Sequence, residues 1–182
     1  KIKPDHFLAL SNLGIVFSQM KQFSKAVELF TKTIKINPNY AEGYNNLGNA
    51  LYELTDFDKS LENYKKAIKL NPKFSDAFNN LGNVYQKKKD LNKAIENYEF
   101  AISFDLSSSK DKPYYNLGNI FRELGDFEKS IKFYKKAIDV NPNSIYSYIN
   151  ASISLNKNGN LKEAIKYCET AIKKDPKNVK AL

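Results

Sequence analysis

The chain has 182 residues and a formal net charge of +9. Its one cysteine, Cys168, excludes an internal disulfide and a thiolate metal cluster, and no apolar run reaches the roughly 20 residues of a membrane span. Arg122 is the only arginine, whereas base readout and phosphate recognition rely on arginine, so the charge indicates a solvated lysine-rich surface and argues against nucleic acid as a partner. With no signal or membrane segment in this sequence, we expect a cytoplasmic protein.

One short motif recurs along the chain. It reads SNLG up to Gly14, NNLGN from Asn45, NNLGN from Asn79 and YNLGN from Tyr115. The glycines are spaced by 34, 34 and 36 residues, and Ser152 follows another 34 residues later. A period of 34 residues is typical of helix pairs repeated in tandem. We number positions within each repeat so that position 1 is Phe7, Ala41, Ser75, Asp111 and Ile145.

The predicted elements follow this register in chain order. Residues 1–6 match the tail of a preceding repeat, and the repeats span 7–40, 41–74, 75–110 (with two extra residues within 107–110), 111–144 and 145–178. Residues 179–182 match the start of a further helix, so the sequence resembles part of a longer array. Each repeat is predicted to form two helices, at positions 2–14 and 17–30, because apolar residues recur at helical spacing.

The small and large positions predict how each pair packs. Position 8 is Gly or Ser and position 20 is Ala or Ser, whereas position 24 is Phe or Tyr until Cys168 in the last repeat. Small residues where helices cross and a large residue beside them let the two helices interlock. Position 16 supplies the expected N-caps of the second helices, which are Asp56, Asp90, Asp126 and Asn160. Pro38, Pro72, Pro142 and Pro176 follow four of the second helices and end them, whereas the third repeat has Leu106 at this position.

These residues closely resemble the tetratricopeptide repeat family over essentially the whole chain. The resemblance implies an all-α fold, a right-handed α-solenoid in which the first helices line a concave groove. It also implies a scaffold for protein–protein interactions that binds a protein or peptide in that groove. We expect no catalysis and no cofactor in this segment. His6 is the only histidine and falls at an inter-repeat position, and Cys168 replaces an aromatic residue and is expected to be buried and inert.

Asparagine columns mark the candidate binding site. Position 6 is Asn in all five repeats, although Asn costs a helix interior roughly 0.5–0.7 kcal/mol against Ala. A carboxamide donates and accepts, so a column of them could hold the main chain of an extended peptide, with Asn80 and Asn116 central. A second interpretation stays open, in which these residues bridge neighbouring first helices. The predicted peptide-binding residues are Asn12, Asn46, Asn49, Asn80, Asn83, Tyr115, Asn116, Asn119, Arg122 and Asn150.

Two groups within the family sharpen the prediction. The position-6 asparagines resemble the Asn ladder of O-linked N-acetylglucosamine transferases, which holds substrate backbone; the alternative function is therefore a substrate-recruiting arm of a larger glycosyltransferase-like enzyme. The carboxylate-clamp group matches less well. Asn49, Asn80 and Lys112 fit its pattern, but Asn45 and Asn116 replace two of its cations. The resemblance therefore implies poor binding of a C-terminal carboxylate.

The last repeat differs from the others. Tyr146, Ile149 and Ile153 stand where earlier repeats have polar groups. Exposed apolar residues in a groove favour a pocket for a partner side chain. The alternative is that a further repeat would cover them.

Overall fold

The computed structural model describes residues 6–104 and 111–176, and these residues form ten helices and no strand. Of the expected tail at 1–6, only His6 is described, and it forms the start of the first helix. The two-residue insertion within 107–110 and the further helix at 179–182 lie outside the described residues. The helices are α1 (His6–Gln19), α2 (Phe23–Ile36), α3 (Ala41–Glu53), α4 (Phe57–Leu70), α5 (Ser75–Lys87), α6 (Leu91–Phe104), α7 (Asp111–Glu123), α8 (Phe127–Val140), α9 (Ile145–Lys157) and α10 (Leu161–Lys174).

The predicted helix pairs are confirmed. All five second helices begin and end at the residues that positions 17–30 specify. The first helices of repeats two to five begin and end one residue earlier than predicted, and α1 begins two residues earlier. In three of these repeats the residue just before the helix has a non-helical ψ between 85° and 94°, so the helix begins at position 1, directly after the proline-containing turn.

The chain divides into two compact units, Lys1–Asp90 and Leu91–Leu182. The first contains α1 to α5, in which each helix packs on the next and the first helices of neighbouring repeats also touch, α1 with α3 and α3 with α5. The second contains α6 to α10, with the same succession and an α7–α9 contact. The superhelical path of the whole chain stays a prediction.

Close approach of a glycine and a buried ring forms the centre of the helix pairs. A Cβ atom added to Gly48 would lie 2.6 Å from the Tyr64 ring, and one added to Gly118 would lie 2.6 Å from the Tyr134 ring. At position 20, the Ser60 hydroxyl donates to the Gly48 carbonyl at 2.8 Å, in a buried contact. The predicted small and large positions therefore do interlock, and they place the rings beneath the first helices.

The turn between the paired helices is also repeated. Position 15 has a positive φ in all five repeats, at Lys21, Thr55, Lys89, Gly125 and Gly159. The next residue caps the second helix as predicted in three repeats. Asp56, Asp126 and Asn160 accept hydrogen bonds from the backbone three residues later, at 3.1–3.4 Å. The side-chain bond to Lys59 lowers the pKa of Asp56, so this carboxylate stays ionised as a cap.

Candidate functional site

A carboxamide network joins α3 and α5 in the first unit. Asn80 Nδ2 donates to Asn45 Oδ1 at 3.0 Å and to Asn49 Oδ1 at 2.9 Å. Tyr64, the buried ring of α4, donates its hydroxyl to the same Asn49 Oδ1 at 2.7 Å. The position-6 asparagine therefore uses both of its amide hydrogens to bridge to the preceding repeat.

The second unit repeats this network between α7 and α9. Asn150 Nδ2 donates to Tyr115 Oη at 2.9 Å and to Asn119 Oδ1 at 3.2 Å. Tyr134 donates its hydroxyl to Asn119 Oδ1 at 2.7 Å. Tyr115 lies over Tyr134, with ring centroids 5.8 Å apart. The bridging alternative is thus observed for Asn80 and Asn150.

The tyrosine hydroxyls determine which way the position-9 carboxamides face. Burial raises the pKa of Tyr64 and of Tyr134, so both phenols stay protonated and act as donors. Each position-9 Oδ1 already accepts two hydrogen bonds. Within the described part of the chain, neither Asn49 Nδ2 nor Asn119 Nδ2 has a hydrogen-bond partner. Each of these carboxamides is therefore fixed through its oxygen, while its N–H donors stay unpaired among the described residues.

The bridging asparagines, Asn80 and Asn150, provide acceptor oxygens next to these N–H donors. Asn80 Oδ1 accepts only one long contact among the described residues, from Asn79 at 3.5 Å. In the second unit, Asn150 Oδ1 lies 3.4 Å from a donor nitrogen of Arg122. The first unit thus presents a donor and an acceptor side by side, whereas Arg122 places positive charge next to the acceptor in the second.

The junction between the first two repeats lacks this network. Position 9 is Ile15 there and position 24 is Phe30, neither of which offers a hydrogen-bonding side chain. Asn46, the position-6 residue, is half-buried and has no side-chain hydrogen bond among the described residues. It lines a cavity of about 300 Å³, whose wall consists of Ile15, Ser18, Gln19, Phe30, Asn46 and Asn49.

The structure brings together two sets of the predicted residues, Asn49 with Asn80, and Tyr115 with Asn119, Arg122 and Asn150. Asn12 is exposed on α1, and Asn83 and Asn116 are half-buried on α5 and α7. Tyr64 and Tyr134 were predicted only as packing residues, and their hydrogen bonds to the site asparagines were not predicted. A signal was present, because Tyr at position 24 occurs only in repeats that have Asn at position 9.

The apolar pocket expected in the last repeat is only partly present. Tyr146 and Ile153 are 57% and 40% exposed, but Ile149 is 6% exposed, so its predicted exposure is wrong. The reason is that Ile149 packs on Ala171 and Ile172 of α10. Cys168 is half-buried rather than buried, because it lines a cavity of about 430 Å³ between α9 and α10.

The described residues contain neither a candidate metal site nor a membrane-spanning helix. They contain no cluster of three or more His, Cys, Asp or Glu side chains that could hold a metal ion. Among the described helices, none has both the length and the apolar character that crossing a membrane requires. His6 is exposed at the start of α1.

Solved structures of several repeat proteins resemble this chain. MamA is 26% identical with a TM-score of 0.77, over 92% of this chain and 96% of MamA. PilF of Pseudomonas aeruginosa is 18% identical with a TM-score of 0.91, over 100% of this chain and 82% of PilF. YrrB, described as a TPR protein with an unusual peptide-binding site, is 17% identical with a TM-score of 0.71, over 98% of this chain and 91% of YrrB. A search of curated protein sequences found no significant match.

Family models match most of the sequence. A tetratricopeptide repeat model matches residues 7–40, 75–106 and 112–144, and a second one matches 29–62 and 133–166. A TPR repeat model matches 48–89. Proteins with these repeats bind protein or peptide partners, which supports a protein-interaction scaffold. The chain belongs to the tetratricopeptide repeat family.

Proposed function

We propose that this chain is an interaction scaffold that holds an extended peptide by its main chain, through the carboxamide pairs on the first helices. The observation that carries the proposal is that Asn49 Nδ2 has no hydrogen-bond partner among the described residues. Its Oδ1 accepts from Tyr64 and from Asn80, whose own Oδ1 accepts only one long contact. In this proposal the position-6 asparagines are mainly bridges, and the position-9 asparagines make the contact to the ligand.

The chemistry of the pair matches one peptide unit. A peptide bond offers one carbonyl acceptor and one N–H donor, and the pair of Asn49 and Asn80 offers one donor group and one acceptor. The Tyr64 hydroxyl holds the donor in place at 2.7 Å, so little side-chain freedom is lost when a ligand binds. Recognition of this kind depends little on the side chains of the ligand.

The second unit is expected to prefer a different peptide group. Its pair consists of Asn119 and Asn150, and Arg122 lies 3.4 Å from the Asn150 acceptor. This pair therefore offers mainly donors and positive charge. A main-chain carbonyl next to an acidic side chain fits this arrangement best.

The test uses peptides selected from a random library of linear dodecapeptides displayed on phage. Asn49→Asp with Asn119→Asp keeps both Oδ1 acceptors for the tyrosines but replaces the unpaired donors by oxygen. We expect unchanged folding and at least about a tenfold loss of peptide affinity, because a carbonyl would then face a carboxylate. Single N-methyl groups along the peptide main chain should each weaken binding about 2- to 10-fold where an N–H is bound.

The matched control is Asn63→Asp with Asn92→Asp, which changes the net charge equally on second helices. Asn63 bonds only to the Lys59 carbonyl of its own helix, at 2.8 Å. The control should bind the peptides like the unaltered chain. Equal losses in both double variants, or peptides that tolerate N-methylation at every position, would contradict main-chain recognition by Asn49 and Asn119. Failure of the chain to select any peptide would contradict peptide binding altogether.

A further inference from the structure

The first repeat departs from the others in two linked positions. Where α3 and α4 carry Asn49 and Tyr64, α1 and α2 carry Ile15 and Phe30. Both differences remove the hydrogen-bonding group: phenylalanine keeps the aromatic ring of tyrosine, and isoleucine puts an aliphatic side chain in place of a carboxamide. Phe30 occupies the same place as Tyr64, because a Cβ on Gly14 would lie 2.7 Å from its ring. The hydroxyl and the carboxamide are therefore missing as a pair, and the packing is kept.

Two polar groups near this junction have no hydrogen-bond partner among the described residues. One is the Asn46 carboxamide, although Asn80 and Asn150 at the same position each donate two hydrogen bonds. The other is the hydroxyl of Ser11, which lies one turn before Ile15 on α1 and is 1% exposed. A buried hydroxyl without a partner is uncommon in a folded protein. Asn46 also lines the cavity of about 300 Å³.

The residues that line the cavity favour a ligand side chain that is both apolar and neutral polar. Ile15 and Phe30 provide apolar surface, and Ser18, Gln19, Asn46 and Asn49 provide neutral groups that donate and accept. None of the described residues that line the cavity carries a charge. An ammonium or carboxylate would lose its hydration here without gaining a counter-charge, and a purely aliphatic side chain would leave the Asn46 carboxamide unpaired.

We propose that this cavity is a specificity pocket for a glutamine side chain of the bound peptide. The aliphatic stem of glutamine lies against Ile15 and Phe30, and its carboxamide pairs with the carboxamide of Asn46. The inference rests on the proposed function, since the pocket reads one side chain of a peptide whose main chain is held by the carboxamide pairs.

The experiment fills the pocket with the pair found in the next repeat. Ile15→Asn with Phe30→Tyr places there the two groups that join Asn49 and Tyr64, so the double variant should fold as well as the unaltered chain. Both proteins select peptides from the same dodecapeptide library. We expect the unaltered chain to enrich glutamine at one peptide position and the filled variant to show no preference there.

Affinity measurements on one selected peptide complete the test. Replacing its glutamine by glutamate, which has nearly the same shape, should weaken binding to the unaltered chain about tenfold and to the filled variant less than about twofold. Asn46→Ala serves as a second variant, because it removes the partner of the glutamine head without filling the cavity. It should reduce the glutamine preference while leaving the melting temperature unchanged or slightly raised.

The outcomes separate this inference from the proposed function. If N-methylation still weakens binding but no peptide position prefers glutamine, or the filled variant keeps the preference, the pocket assignment is wrong and main-chain binding stands. Enrichment of a charged residue at the position that depends on Ile15 would also overturn the assignment. If no peptide binds the unaltered chain, both proposals fail together.

Discussion

Asn46 and Asn80 occupy the same repeat position but are expected to respond in opposite ways to alanine. Asn80 donates hydrogen bonds at 3.0 and 2.9 Å to the preceding repeat, whereas Asn46 has no side-chain partner among the described residues. Both lie in the interior of a first helix and both are half-buried. Comparing the two substitutions therefore separates the contribution of the hydrogen bonds between repeats from the effect of alanine on the helix.

The expected magnitudes follow from these contacts. Asn80→Ala removes two hydrogen bonds of about 1 kcal/mol each, and it takes a donor from Asn45, which is only 7% exposed. The higher helix propensity of alanine adds roughly 0.5–0.7 kcal/mol to the stability. The net change is a loss of about 1–2 kcal/mol of stability. Asn46→Ala loses no hydrogen bond, so only the propensity gain of about 0.5 kcal/mol remains.

Urea unfolding of the full chain, followed by circular dichroism at the helix band, measures both variants under identical conditions. We expect the midpoint of Asn80→Ala to fall and that of Asn46→Ala to stay or rise slightly. The reasoning is refuted if the two variants lose the same stability, since Asn46 would then have a structural partner. It is also refuted if Asn80→Ala is neutral, because the bridge would then contribute nothing.

Two further predictions concern the frame of the site. Gly48→Ala places a Cβ atom 2.6 Å from the Tyr64 ring, so we expect a loss of about 1–3 kcal/mol in urea unfolding; the idea fails if the variant is as stable as the unaltered chain. Thr55 holds a φ of 62°, so Thr55→Gly should raise stability by about 1 kcal/mol, and the reverse change Gly125→Ala at the same turn should lower it by a similar amount. A gain from both changes would contradict the strain argument.

The helices could be predicted to within one or two residues because each boundary has a local cause. A proline follows four of the five second helices, Asp56 and Asp126 cap the starts of two of them, and Gly48 and Gly118 require a crossing helix. All of these signals lie within a few residues of what they determine. The same signals repeat in phase along the chain, so one boundary supports the next.

The site could be predicted only as a surface, because the partners of each carboxamide lie in other repeats. Asn80 and Asn45 are 35 residues apart, and Tyr64 reaches Asn49 from the paired helix across 15 residues. A column of asparagines looks the same in the sequence whether its members bind a ligand or one another. The orientation of the Asn49 and Asn119 carboxamides depends on a tyrosine hydroxyl from the paired helix. The burial of Ile149 depends in the same way on residues of another helix, α10.

The difference between the junctions follows from the residues at positions 9 and 24. In the second and fourth repeats, a tyrosine hydroxyl and an asparagine occur together, and the hydrogen bond between them is 2.7 Å in each. In the first and last repeats both are absent, with Ile15 and Phe30 at one end and Ile153 and Cys168 at the other. A hydroxyl buried without its asparagine would lose its hydration without compensation, so the two residues are retained or lost together. Where the pair is present, its hydrogen bond fixes the orientation of the carboxamide. Where it is absent in the first and last repeats, a cavity lies beside those residues. The two proposals therefore assign main-chain binding and side-chain selection to different junctions, because the residues at positions 9 and 24 differ between them.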